Sequence, residues 1–122
     1  MKKRLHIHDQ LESELFLVGG NDRHDLLAHI SQLLHFVERA AHAVPADIAL
    51  TTGMAAANAL ECAAVVATSI PDLAKKLSIL KKRLTDGQGR VAESRGVYIG
   101  TDLCPAPGRT VFVFPGEGSQ YP

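Results

Sequence analysis

The sequence predicts an α+β fold: two or three helices packed on one face of a small, about three-stranded sheet, with a further lone apolar strand behind it. Three observations carry that prediction. Short apolar runs at residues 14–18, 61–68 and 95–100 are bounded by glycine or by polar turn residues. Between them lie two leucine-rich segments whose apolar positions recur at helical spacing. The resulting order, β-α-(turn)-β-α-β, then a connector and one more strand, suits helices layered on a single sheet.

Residues 1–12 are polar and mixed in charge and read as a mobile lead-in. Glu14-Leu15-Phe16-Leu17-Val18, closed by Gly19-Gly20, reads as a buried strand and a turn. Asn21 and Asp22 offer N-caps for a helix running to about Ala43, ended by Val44-Pro45 because the residue before proline avoids the helical region. Leu26, Leu27, Ile30, Leu33, Leu34 and Val37 form one stripe on it, with His24, His35 and His42 on the opposite side. Asp47 to Gly53 reads as a short helical turn capped by glycine, and Met54 to Ala59 fits either loop or helix. Glu61 to Thr68 reads as a strand covered on both faces, since its members are small and apolar.

Ser69-Ile70-Pro71-Asp72 is a helix start: Ser69 as cap, proline in the first turn, an acid at the third position. Leu73, Leu77, Leu80 and Leu84 line its inner stripe, with Lys75, Ser78 and Lys82 facing away and Ile79 off the stripe. Thr85-Asp86-Gly87 ends it and Gln88-Gly89-Arg90 continues as loop. Arg95 to Gly100 is a third strand, Cys104-Pro105-Ala106-Pro107-Gly108 a stiff connector, and Val111–Phe114 a fourth strand. No internal repeat or low-complexity segment is evident.

Size and composition set the class. A chain of 122 residues fits one domain that buries roughly 65% of its unfolded surface. Thirteen basic residues balance thirteen acidic ones, which argues against a nucleic-acid binder. Met1-Lys2-Lys3-Arg4 is followed by no apolar core of a signal peptide, and the longest apolar run, Cys62 to Ala67, is too short to span a bilayer. The expectation is a cytoplasmic protein with no membrane partner and with Cys62 and Cys104 reduced.

Most catalytic chemistries fail on spacing. His24, His35 and His42 lie about 16 and 10 Å apart along a helix, whereas one metal ion needs ligands about 2 Å away. His6-x-His8 has no carboxylate or cysteine at a useful distance in sequence, so no metal site is predicted. No Gly-x-Ser-x-Gly elbow occurs, and Cys62 sits in a strand as a small core residue. Gly116-Glu117-Gly118 lacks the third small residue of a dinucleotide fingerprint, Tyr121 standing in its place. The helix after Pro71 carries Lys75, Lys76, Lys81, Lys82 and Arg83, a solvated face or a docking face for an acidic partner.

The last segment is the most specific. Val111-Phe112-Val113-Phe114-Pro115-Gly116-Glu117-Gly118-Ser119-Gln120 resembles the opening strand and loop of malonyl-CoA:carrier-protein acyltransferases. The upstream order of elements resembles, more diffusely, the linker joining ketosynthase to acyltransferase in polyketide synthases and related polyunsaturated-fatty-acid and fatty-acid synthases. The resemblance covers roughly residues 13–122. It implies a linker domain at 13–103, followed at 104–122 by a connector and the first strand and loop of a truncated acyltransferase domain with an α/β fold.

What the resemblance implies for function follows residue by residue. The position of Glu117 supplies a backbone amide to the oxyanion hole, a contribution of a few kcal/mol that needs main chain only. Gly116 and Gly118 let that chain approach the substrate, and Ser119 and Gln120 complete the substrate loop. Glutamine is usual where Glu117 stands, and a carboxylate beside an anionic intermediate raises its energy. The family's serine elbow, catalytic histidine and carboxylate-reading arginine have no counterpart in these residues, so the chain alone is expected to be inactive. It holds no cofactor of its own; the parent uses a coenzyme A thioester and a phosphopantetheine-bearing acyl carrier protein, with ketosynthase and acyltransferase domains as partners. The alternative expectation is a stand-alone interaction module that docks an acidic carrier protein through Lys75, Lys82 and Arg83.

Overall fold

A computed structural model describes residues 12–40, 42–87, 91–92, 96–100 and 109–116, with the side chains of residues 91–92 left aside. The expected lead-in up to residue 11, the 88–90 loop, the Cys104–Gly108 connector and the Glu117–Gln120 loop therefore lie outside the described residues. Within them the chain forms β1 (Glu14–Gly20), α1 (Arg23–Arg39), α2 (Pro45–Ala56), β2 (Glu61–Ala67), α3 (Ile70–Thr85), β3 (Val91–Ala92) and β4 (Val97–Gly100). The strands make one antiparallel sheet in the order β1-β2-β4-β3. Three helices on three main strands, with the two-residue β3 added at one edge, are the predicted α+β architecture.

Alternation along the strands decides where the core lies. Phe16 and Val18 on β1, Ala63, Val65 and Ala67 on β2, and Val97 and Ile99 on β4 are buried. They meet Leu26, Ile30 and Val37 of α1 and Leu73, Leu77, Leu80 and Leu84 of α3. The leucine stripes thus bury as their spacing predicts. α2 packs mainly on β1, the strand at the sheet's edge, and shields that edge from pairing with other chains.

Several sequence expectations are corrected. α1 stops at Arg39, not near Ala43, because Ala40 leaves helical geometry (φ −103°, ψ 57°). Pro45 does not end that helix; it opens α2 at the first position, where its missing N–H costs nothing. The expected short turn is a helix running through Gly53 to Ala56, with Thr51 and Thr52 donating to the Asp47 and Ile48 carbonyls one turn back. β2 is covered on one face only: Cys62, Ala64 and Val66 on the other are half-buried. The third strand is shorter, Val97–Gly100, and β3 was not anticipated. Val111–Phe114, predicted as a strand, pairs with no strand among the described residues and is 77–85% exposed, since β composition alone does not supply a partner.

The structure also contains an internal repeat. A shift of 47 residues carries β1 onto β2 (Glu14 to Glu61) and α1 onto α3 (Arg23 to Ile70). The antiparallel register obeys the same shift: Glu14 pairs with Ala67 and Gly20 with Glu61. The helix starts are built alike. Asp22 caps α1 by accepting from Asp25 N, while Asp25 reaches back to Asn21 N. Ser69 caps α3 by accepting from Asp72 N, while Asp72 reaches back to Thr68 N. One turn on, His29 Nδ1 donates to the Gly19 carbonyl (2.7 Å) and Lys76 Nζ to the Val66 carbonyl (2.7 Å), each a cation-capable side chain pinning helix to strand.

The second pin has a pH consequence. A 2.9 Å hydrogen bond from Lys76, then the Thr68 N–H, hold the Asp72 carboxyl below its ordinary value of 3.8. A carboxyl depressed on folding stabilises the protein above its unfolded pKa and ceases to do so as pH falls through the folded value. Asp72→Asn should therefore cost about 1 kcal/mol at pH 7. The gap to the parent protein should shrink between about pH 5 and pH 2. Urea unfolding at both pH extremes checks this; a gap that stays constant would show that the charge of Asp72 contributes nothing.

Candidate functional site

Among the predicted loop residues, only Gly116 is described. It is exposed, and a Cβ placed on it would meet nothing within 4 Å, so no pocket surrounds it among the described residues. Glu117, Gly118, Ser119 and Gln120 lie outside the described residues.

The basic face of α3 is real but narrower than its sequence. Lys75, Lys81 and Lys82 are exposed, and Lys75 and Lys82 stand two turns, about 10 Å, apart on one outward stripe with Ser78. Lys76 is committed to Asp72 and the Val66 carbonyl, and Arg83 is half-buried. His24, His35 and His42 are exposed, and no group of three or more potential metal ligands occurs among the described residues. Burial raises the Cys62 thiol above its ordinary value, which keeps it protonated and suits the small-residue role. No described helix is long and apolar enough to cross a membrane.

The surface that sequence reasoning missed is the second face of the sheet. α1 and α3 pack on the other face, and the end of α2 reaches this one only at Gly19, where a Cβ would meet Ala56 and Ala59. The rest is mostly apolar: Leu15 (52% exposed) and Tyr98 (44%), with Leu17, Ala64, Val66 and Cys62 half-buried between them. The register makes the patch continuous. Leu15 lies opposite Val66, and Ala64 lies between Leu17 and Tyr98. A signal for it existed in the near-unbroken apolarity of β1 and β2. Such strands normally have both faces covered, and here β2 is covered on one face and β1 on the second only at Gly19. Apolar residues sharing one open face mark an interaction surface better than scattered ones do.

Comparison with known proteins places the fold. Neither a known family profile nor a curated protein sequence matches the chain. Solved structures do. One is the acyltransferase domain of an iterative polyketide synthase of enediyne biosynthesis, with a TM-score of 0.67 and 18% identity over 73% of this chain and 24% of that one. Another is the ketosynthase from module 1 of the bacillaene synthase of Bacillus amyloliquefaciens FZB42, with a TM-score of 0.61 and 21% identity over 75% and 15% of the two chains. A third is the acyltransferase domain from module 8 of the salinomycin polyketide synthase, with a TM-score of 0.58 and 19% identity over 74% and 19%. This fold occurs within polyketide synthase chains. The present chain spans a quarter or less of the length of each of these three.

Proposed function

We propose that the chain is the linker unit that holds an acyltransferase domain in place beside a ketosynthase domain in a polyketide-type synthase. One observation carries the reading: the same small α+β unit recurs in structures of acyltransferases and of ketosynthases, as a minor share of each chain. A segment shared by both belongs most simply to the junction between them. The open apolar sheet face supports this, since a spacer must offer a catalytic domain something to pack on. The Val111–Gln120 motif agrees, as the first strand and oxyanion loop of the acyltransferase that follows such a linker. In that parent the Glu117 amide would help hold an acyl-transfer oxyanion, with Gly116, Gly118, Ser119 and Gln120 shaping the loop. A malonyl-type group would pass from coenzyme A through a serine ester to a carrier protein, in the cytoplasm.

The exposed pair Lys75 and Lys82 supports a second reading, in which α3 docks an acidic carrier protein. One set of NMR titrations separates the two. The labelled chain is titrated with the ketosynthase, acyltransferase and carrier domains encoded alongside it. On the linker reading, one or both catalytic domains perturb Leu15, Leu17, Ala64, Val66 and Tyr98, and Tyr98→Lys weakens binding at least about tenfold. Perturbation of residues 75–82 by the carrier alone, abolished by Lys82→Glu, would replace that reading with the second. Silence with both catalytic domains at millimolar concentration overturns the linker reading.

A further inference from the structure

The proposed linker role does not use the outer face of α2, and that face is built unlike a solvated helix. Asp47, Leu50, Thr51 and Met54 follow the i, i+3, i+4, i+7 spacing of one stripe, and all four are exposed. Leu50 is 65% exposed and Met54 72%, on a helix whose single charged residue is Asp47. The stripe borders a groove of about 440 Å³ lined by Leu33, Phe36, Val44 and Ile48 and by the polar Asp47, Thr51 and Thr52, with Phe36 and Val44 half exposed. Ridge and groove share one patch.

We propose that this patch is an interface between two copies of the chain, with α2 packed antiparallel on its twin. Size, shape and charge agree. Phe36, Val44, Leu50 and Met54 together expose roughly 400 Å² of apolar surface, as large as the biggest patch on a typical monomer. At the usual apolar share of an interface, that corresponds to about 600–700 Å² per partner, the lower end of what a stable two-chain contact buries. A two-fold contact demands a self-complementary surface. Here the Leu50–Met54 ridge of one copy faces the groove of the other, and methionine adapts to an irregular pocket. A formal net charge of zero leaves no long-range repulsion to keep copies apart.

Sedimentation velocity of the 122-residue protein across a dilution series tests the proposal. The expected result is a reversible dimer of micromolar or tighter affinity. Leu50→Glu and Met54→Lys change exposed helix positions, so each should leave the circular dichroism spectrum and thermal midpoint intact while weakening dimerisation at least about tenfold. Val113→Lys, in the other exposed apolar segment, should leave it unchanged. A monomer at all concentrations up to about 1 mM overturns the proposal. So does a dimer that survives both α2 substitutions, or one that Val113→Lys abolishes. None of these outcomes bears on whether the sheet face binds a synthase domain.

Discussion

Gly20→Ala should destabilise the protein by about 3 kcal/mol, the upper end of what one added methyl group does to a packed site. Gly20 ends β1 where the chain turns back into α1. A Cβ there would sit 2.4 Å from Leu26 N, 2.7 Å from Leu26 Cα and 2.9 Å from Asp25 C. These are backbone atoms, so no rotamer change relieves the overlap and the first turn of α1 must move away. That turn is held by the Asp22 cap on Asp25 N and by the 2.9 Å bond from Leu26 N to the Asp22 carbonyl, and Leu26 is fully buried. Moving it therefore strains the cap and loosens the core together. The internal repeat shows that the closeness is local to α1, because the equivalent position before α3 is Ala67, which fits. Gly53→Ala is the matched control: nothing lies within 4 Å of its Cβ, and a helix-interior alanine should add about 0.5–1 kcal/mol. Urea unfolding that finds Gly20→Ala as stable as the parent would mean that α1 approaches β1 less closely than described.

What the sequence made legible follows the locality of each signal. The caps at Asp22 and Ser69, the leucine stripes and the outward Lys75–Lys82 pair depend on residues within a turn or two, and the structure has each of them in place. Signals compatible with two backbones were misassigned. A proline that bars the helical region to its predecessor also suits the first turn of a new helix, so Pro45 marked the start of α2 as readily as the end of α1. Gly19-Gly20 suggested a turn because glycine permits one; the pair is strand, and Gly20 is glycine because α1 passes too close for a side chain. Non-local facts were out of reach. Apolar residues on both faces of β1 and β2 say that two covers are wanted, not that this chain supplies one. Val111–Phe114 has strand composition but no partner among the described residues, and composition alone does not pair a strand. The repeat was hidden because only scattered positions match (Glu14/Glu61, Val18/Val65, Asp25/Asp72, Leu26/Leu73, Ser31/Ser78, Leu33/Leu80), while others exchange large for small.

Phe16 and Ala63 are the sharpest such exchange, and they yield the other large effect. Phe16→Ala should lower the unfolding free energy by about 3–5 kcal/mol. For a domain of this size that is a substantial part of a total of about 5–15 kcal/mol. Phe16 is 1% exposed and pairs in register with Val65. Its repeat equivalent, Ala63, is equally buried and lies diagonally across on the same face of the same strand pair. One large and one small side chain thus fill a space that two equal ones would leave empty or overfill. Loss of the ring leaves two alanines in the middle of the sheet, and well-packed neighbours relax only partly into the hole. The argument also fixes the sign of a coupling. Ala63→Leu alone should destabilise by about 1–3 kcal/mol through overpacking. Placed on Phe16→Ala, the same change should recover stability, giving an interaction energy of at least about 1 kcal/mol in a double-mutant cycle. Additive effects of the two substitutions would mean that the side chains do not share one volume, and the complementary packing inferred from the repeat would fail with them.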